Sequence, residues 1–244
     1  MVDNDIGGMT WVKIAKGNWL MRSEKKKETR CQIEFDVMNY NHVVPLPCEG
    51  KYSKLAPLRI LSFDIECSAD KGRFPQPKTD PVIQIANIVK IYGESEIFVR
   101  NVFTLDDCAP IVGSKVFSYK SEEDMLSRWR DFVQQVDPDV ITGFNFVNFD
   151  FPYIIERADF LKIKNFPSFS RIFNYSRIKQ TTLSSKALGI RDSKEINIEG
   201  RIQFDMLQVI LREHKLRSYS LNSVSAHFLK EQKEDVHHSV IAEL

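Results

Sequence analysis

Cysteine is scarce in this chain. Four stand among 244 residues, at positions 31, 48, 67 and 108. No two have a C-x-x-C spacing, so a zinc site is not expected and a reduced, intracellular setting is the default. Long apolar runs are also lacking. Nothing reaches the roughly 20 residues of a membrane-spanning helix, and the N-terminus carries no signal-peptide pattern, so no membrane partner is expected. Nor is there a surplus of one charge: 34 Lys and Arg against 33 Asp and Glu leave a net charge of +1. A nucleic-acid role therefore cannot be argued from bulk charge and would need local clustering of Lys and Arg. Repeats and low-complexity segments are absent. Histidine offers no ligand set. His237 and His238 are adjacent and cannot share a helix face, while His214 and His227 lie in helical stretches without carboxylates at ligand spacing.

What is present is ordinary for a globular protein, with 43% hydrophobic and 27% charged residues. The length suits one large domain, or one domain with an appendage. Seventeen Phe suggest a well-filled core with some rings left over.

The chain divides near residue 57. Before it, Thr10–Ile14, Trp19–Met21 and Cys31–Val37 read as short strands, the last two joined as a hairpin by the charged stretch 22–30. Pro45, Pro47 and Gly50 mark a connector. From Leu58 onward strands alternate with helices, the pattern of an α/β layer fold with a central mixed sheet flanked by helices. Strands are expected at 58–66, 82–89 and 97–103, as an antiparallel meander. Ser121 and Asp124 open a helix whose Met125, Leu126, Trp129, Phe132, Val133 and Val136 share one face. Asp137-Pro138-Asp139 closes it, and Val140–Phe144 is a strand parallel to the first. A helix follows over Pro152–Leu161, then an irregular stretch over 162–183. An exposed hairpin is expected within 184–201, helices over about 203–213 and 220–229, and the start of another helix at Val236–Leu244.

The stretch Leu58-Arg59-Ile60-Leu61-Ser62-Phe63-Asp64-Ile65-Glu66 is the organising strand. Side chains alternate along a strand, so Asp64 and Glu66 share a face, roughly 7 Å apart, with Leu61, Phe63 and Ile65 behind them. Two such carboxylates repel unless a cation sits between them, and a hard divalent ion is the natural partner. On the pair alone, the solvated end of a strand is the simpler reading. Asp150, where a loop enters a helix beyond a parallel strand, lies where sites gather in α/β sheets. It is equally readable as a helix N-cap. Asp205 reads as a structural cap, and Cys67 as a core thiol. Arg201, Lys215 and Arg217 are either phosphate contacts or surface charges.

Taken together, Phe63-Asp64-Ile65-Glu66 and, about 80 residues on, Asn145-Phe146-Val147-Asn148-Phe149-Asp150 resemble the first two motifs of DEDD-type 3′–5′ proofreading exonucleases. The surrounding segments Asp80-Pro81-Val82-Ile83-Gln84-Ile85, Asp137-Pro138-Asp139-Val140-Ile141-Thr142-Gly143, Gly200-Arg201 and Lys215–Asn222 extend the similarity to the eukaryotic family B DNA polymerases over essentially the whole chain. The resemblance implies an RNase H-like exonuclease domain over 58–244, preceded by a small β-rich segment, 1–57, from the end of a polymerase N-terminal domain. It implies two Mg²⁺ or Mn²⁺ ions held by Asp64, Glu66 and Asp150, which are also the catalytic residues. It places Asn145, Phe149, Phe63 and Arg217 at the DNA, and the hairpin where strands separate. The partners it implies are a single-stranded or frayed 3′ end, the rest of a polymerase chain and, through other regions, accessory subunits and a sliding clamp. The location it implies is the nucleus.

One departure stands out. The family's third motif, Y-x-x-x-D, occurs nowhere here; Tyr92 and Tyr119 are followed four residues on by Glu96 and Glu123, in the wrong part of the chain. The expectation is a fragment that ends before that motif, with weak metal affinity and impaired cutting. A non-catalytic RNase H-like module that binds single-stranded nucleic acid is the alternative. A stand-alone RNA-trimming nuclease fits the flanking segments less well.

Overall fold

In the computed structural model the described residues are 2–70, 72–185 and 189–232. The expected helix at 236–244 and the pair His237-His238 lie outside them. Residues 1–57 contribute two small antiparallel sheets. One pairs β1 (Val12–Lys13) with β4 (Val44–Pro45), and the other pairs β2 (Trp19–Met21) with β3 (Phe35–Val37). The hairpin expected between β2 and β3 is thus present. Val44–Pro45, read as connector, is instead a pairing strand, which a proline tolerates at a sheet edge.

The main body is a six-stranded mixed sheet. Its strands are β5 (Arg59–Cys67), β6 (Val82–Ile91), β7 (Ile97–Leu105), β8 (Lys115–Tyr119), β9 (Val140–Gly143) and, after an isolated hairpin of β10 (Ile178–Ser185) and β11 (Gly189–Ile196), β12 (Ile202–Asp205). Their order is β12-β9-β5-β6-β7-β8. β5, β6 and β7 form the expected antiparallel meander, and β9 runs parallel to β5, in register from Ile60↔Val140 to Ser62↔Thr142.

The alternation read along β5 holds. Leu61, Phe63, Ile65 and Cys67 are buried, while Asp64 on the other face is exposed. The buried face packs against α1 (Glu122–Val136) and α2 (Asp150–Phe160). Ser121 Oγ accepts from the Asp124 N–H and so fills the N-cap of α1, as its sequence suggests. Met125, Leu126, Trp129, Val133 and Val136 then recur at helical spacing and are buried together. Asp137 ends the helix in the left-handed region, φ 49°. Two further helices, α3 (Met206–Glu213) and α4 (Leu221–Phe228), follow β12, and Ser220 caps α4.

Trp129 sits at the centre of this core. Its ring is fully buried beside Phe63, Phe151 and Phe169, at centroid distances of 5.2, 6.2 and 5.5 Å. A buried indole N–H needs an acceptor. Trp129 Nε1 donates to Asn87 Oδ1 at 2.9 Å, and Asn87 Nδ2 donates in turn to Asn101 Oδ1 at 3.0 Å. The two asparagines lie on neighbouring strands as directly paired residues. A polar chain thus fastens the helix to the middle of the sheet.

Four sequence readings require correction. β8 went unread because a short, half-exposed edge strand has no apolar run. Residues 202–205, read as the start of a helix, are β12, parallel to β9; Ile202 and Phe204 are exposed while Asp205 is buried, the alternation of a strand. The hairpin begins at Ile178, inside the stretch read as irregular, and closes at Ile196 with Ile178↔Ile196 paired. Of the expected strand 31–37, only Phe35–Val37 pairs.

Replacing Trp129 by Ala removes the central ring and orphans Asn87. The expected loss is about 3–5 kcal/mol of unfolding free energy, read by denaturant titration.

Candidate active site

Asp64 and Asp150 are 86 residues apart in sequence and meet in space. β9 pairs with β5 only as far as Ser62. Beyond that point the flank of β5 is open, and the loop after β9 brings Asp150 to it. Asp150 Oδ1 accepts the Ile65 N–H at 3.1 Å, which places the carboxyl group beside Asp64, close enough for the Asp64 charge to act on it. Asp150 is the first residue of α2, but no side-chain oxygen caps that helix. One carboxylate oxygen thus bonds the backbone of β5.

The electrostatics follow from this placement. Asp150 is 2% exposed. Burial, followed by the charge of Asp64, holds its carboxyl well above the ordinary carboxylate range, only partly offset by the Ile65 N–H. Two carboxyl groups in contact share one proton unless a cation replaces it. Glu66 lies two residues further along β5, opposite Gln84 and half-buried. Among the described residues, no three His, Cys, Asp or Glu side chains converge as a ready-made metal cluster.

The loop that carries Asp150 is braced from two sides. Gly143 ends β9, and a Cβ there would lie 2.9 Å from Phe146 Cβ and 3.0 Å from the Phe63 carbonyl oxygen. Only glycine allows this approach. Asn145 then takes a left-handed turn at φ 63°, and Phe146 plugs into the core, 5.8 Å from the Phe63 ring. The second brace is Asp205. Its Oδ1 accepts from the Leu207 N–H at 2.9 Å, the cap expected of it. The same carboxylate also accepts from the Asn145 N–H at 2.9 Å and the Val147 N–H at 3.1 Å. Asp205 thus ties β12 and α3 to the loop in front of Asp150.

The rim is aromatic. Phe149 is half-buried, with Phe74 at 5.2 Å on one side and Tyr153 at 5.6 Å on the other. Phe74, 67% exposed, sits on the loop between β5 and β6. That loop is shaped by Asp80, whose carboxylate accepts two bonds from Arg73, at 2.7 and 2.6 Å, and one from the Gln76 N–H. The guanidinium holds Asp80 down to about 2, against the opposing effect of burial. Tyr153 donates to the Asp80 carbonyl oxygen. Sequence reasoning assigned no role to Phe74 or to the Arg73–Asp80 pair. The only local sign was the proline-rich run Phe74-Pro75-Gln76-Pro77.

Two expectations change, those for Phe63 and Arg201. Phe63, expected at the DNA, is 3% exposed and packs against Trp129, Phe146 and Phe151. It occupies an odd position on β5 and so faces away from Asp64. Arg201 is buried and structural, donating to Asp137 Oδ1 and to the Phe169 and Pro138 carbonyls. Arg217 is exposed between α3 and α4, beside Lys215 and His227 in a separate shallow cavity. Cys67 is the core thiol it was read to be, with burial pushing it up to about 12.

Asp205→Ala removes a cap and two loop anchors, so about 2–4 kcal/mol of unfolding free energy is expected to be lost. Asp150 yields a pH signature. In the unfolded chain it ionises near pH 4, and in the folded chain at higher pH. Its contribution to stability is therefore full below pH ~4 and is lost as pH rises through the folded value. In chelator, Asp150→Asn is expected to gain stability relative to the parent as pH increases from 5 to 8. Parallel urea-unfolding curves for the two proteins across that range would contradict the assignment.

A model of the DNA polymerase family B exonuclease domain matches residues 1–224. The relatives include proteins named DNA polymerase delta catalytic subunit from Drosophila melanogaster, 54% identical, Arabidopsis thaliana, 54%, and Schizosaccharomyces pombe, 53%. Each match covers 100% of this chain and 22–23% of the relative, so the chain spans less than a quarter of their length. With a family model over nearly the whole chain and the acidic pair assembled where α2 meets β5, the chain belongs to the family B DNA polymerase exonuclease domains.

Proposed function

We propose that this chain is the proofreading 3′–5′ exonuclease portion of a delta-type replicative DNA polymerase, and that it hydrolyses the 3′-terminal phosphodiester of single-stranded or mispaired DNA. The observation that carries this reading is the contact between Asp64 and the buried Asp150, on a loop braced by Gly143 and Asp205.

The donor set fits divalent ions. Carboxylate oxygens are hard ligands, and an ion's charge would offset the burial and the Asp64 charge that raise the Asp150 carboxyl. Asp64, Glu66 and Asp150 would hold Mg²⁺ or Mn²⁺. When bound, a pair of such ions supplies an activated water and stabilisation of the departing 3′ oxygen. The chain's own residues do the rest. Asp150, fixed on the Ile65 N–H, keeps one oxygen in a set direction while the other faces Asp64. Asn145 and Phe149 contact the terminal nucleotide, with Phe74 extending the ring surface on which an unpaired base stacks. Such stacking contributes about 1–3 kcal/mol per base and reads no sequence, as an editor of any mispaired end requires. The hairpin of β10 and β11 stands apart from the main sheet, as a strand-separating element would.

On this reading residues 1–57 are the end of a polymerase N-terminal domain and 58–244 the exonuclease domain. The partners are DNA, the remainder of the polymerase chain, accessory subunits and a sliding clamp, and the location is the nucleus. One observation favours a second reading for the isolated chain, a single-strand-binding module with little activity: no Y-x-x-x-D occurs in its 244 residues.

The test is made in the full-length protein. Asp64→Ala with Glu66→Ala is expected to reduce 3′-end degradation at least 100-fold with Mg²⁺ while leaving DNA synthesis intact. Unchanged exonuclease rates would overturn the proposal.

A further inference from the structure

A large groove lies away from the carboxylates. It has a volume of about 780 Å³ and opens between β7, β8 and the C-terminal half of α1. Three exposed cations line it, Arg100, Lys115 and Arg128, together with the rings of Phe98, Phe117 and Tyr119. Four cations, counting Arg59, thus line one partly aromatic groove with a single acid among them. The single acid among the lining residues, Asp131, is taken by Arg130, a pair at 2.6 Å. Arg59, at the inner end, is occupied in donating to the Val136 carbonyl and lying over Phe98. Among the described residues, neither Arg100 nor Arg128 has a hydrogen-bond or ion-pair partner. The Lys115 ammonium sits over the Phe117 ring.

The groove is connected to the candidate site. β8 pairs with β7 only from Asn101 onward, so residues 97–100 form an open edge of the sheet. A second cavity, of about 420 Å³, lies on the Asp64 face and is lined by Asp64, Ser62, Ser114 and the same Arg100 and Asn101 that line the large groove. The Arg100 guanidinium reaches toward Gly113, which adopts φ +74°. Arg100 therefore stands at the junction, on the open edge around which the two cavities meet.

We propose that this groove binds single-stranded nucleic acid, as the track for the part of the strand that lies 5′ of the terminal nucleotide held at Asp64. It rests on the exonuclease reading for the direction of the strand, but not for the binding itself. Phosphates sit against Arg100, Lys115 and Arg128, and a base stacks on the exposed ring of Phe98. A cationic groove with interleaved rings is the arrangement that binds single strands without sequence preference.

The experiment uses the whole 244-residue chain, in EDTA to prevent cutting, and fluorescence anisotropy with labelled dT4 and dT16. Lys115 and Arg128 are both exposed and are changed together to Gln. The parent is expected to bind dT16 more than 10-fold more tightly than dT4. The double variant is expected to lose most of that gain, with a log K against log salt slope shallower by about 1.4, or 0.7 for each cation removed. Equal dT16 affinity and slope in parent and variant would overturn the proposal, as would poly-Glu competing as well as unlabelled dT16, which would assign the groove to an acidic protein segment. The exonuclease reading fails separately. Length-dependent binding that is sensitive to the double variant, but indifferent to a 3′ phosphate block in Ca²⁺, would keep the groove and remove the end-binding site.

Discussion

Everything at the candidate site depends on one carboxyl group crossing from a helix to a strand. Asp150 is carried by α2, yet its oxygen accepts the Ile65 N–H of β5. This bond requires that β9 stop pairing with β5 at Ser62, that Gly143 permit a close turn, and that Phe146 anchor the loop in the core. With those conditions met, Asp150 has no freedom to cap its own helix and is pressed against Asp64. The result is a buried Asp150 carboxyl beside the exposed Asp64, an arrangement that disfavours the dianion.

The scaffold accounts for why such a pair is tolerated. A buried carboxyl unable to ionise forgoes favourable hydration, and the surrounding fold compensates through packing. The rings of Phe63, Trp129, Phe146, Phe151 and Phe169 form one contiguous cluster directly behind the pair. The polar chain from Trp129 through Asn87 to Asn101 fixes α1 against the sheet. On the far flank, Arg157 and Glu122 are paired at 2.7 Å, and Glu122 also accepts the Val82 N–H, joining α1, α2 and the start of β6. The acidic site therefore stands on rigid elements, and only its rim, Phe74 with Phe149, is formed by loops.

Much of this was legible in the sequence because the signals were local and periodic. The alternation along residues 59–67 gave both the strand and the face on which Asp64 lies. The helical spacing from Met125 to Val136 gave α1 with its cap. The motif Asn145–Asp150 gave the second acidic landmark. What escaped were features defined by distant partners. Nothing in Lys115–Tyr119 marks it as an edge strand until β7 offers it a ladder. Asp205 was legible as a cap through its position, but its bonds to Asn145 and Val147 span some 60 residues. Phe63 was misplaced at the DNA although its own alternation puts it in the core. The pairing of Phe74 with Phe149 likewise has no sequence signature beyond exposed rings near prolines.

A divalent ion bound at Asp64 and Asp150 would displace the proton that burial and the Asp64 charge favour on Asp150. Calorimetric titration of the chain with Mn²⁺ at pH 7, repeated in buffers of different ionisation enthalpy, tests it directly. Binding accompanied by proton release, with both the affinity and the release lost in Asp150→Asn, is the result the account predicts. Mn²⁺ binding of equal strength in the parent and in Asp150→Asn, with no proton released by either, would contradict it.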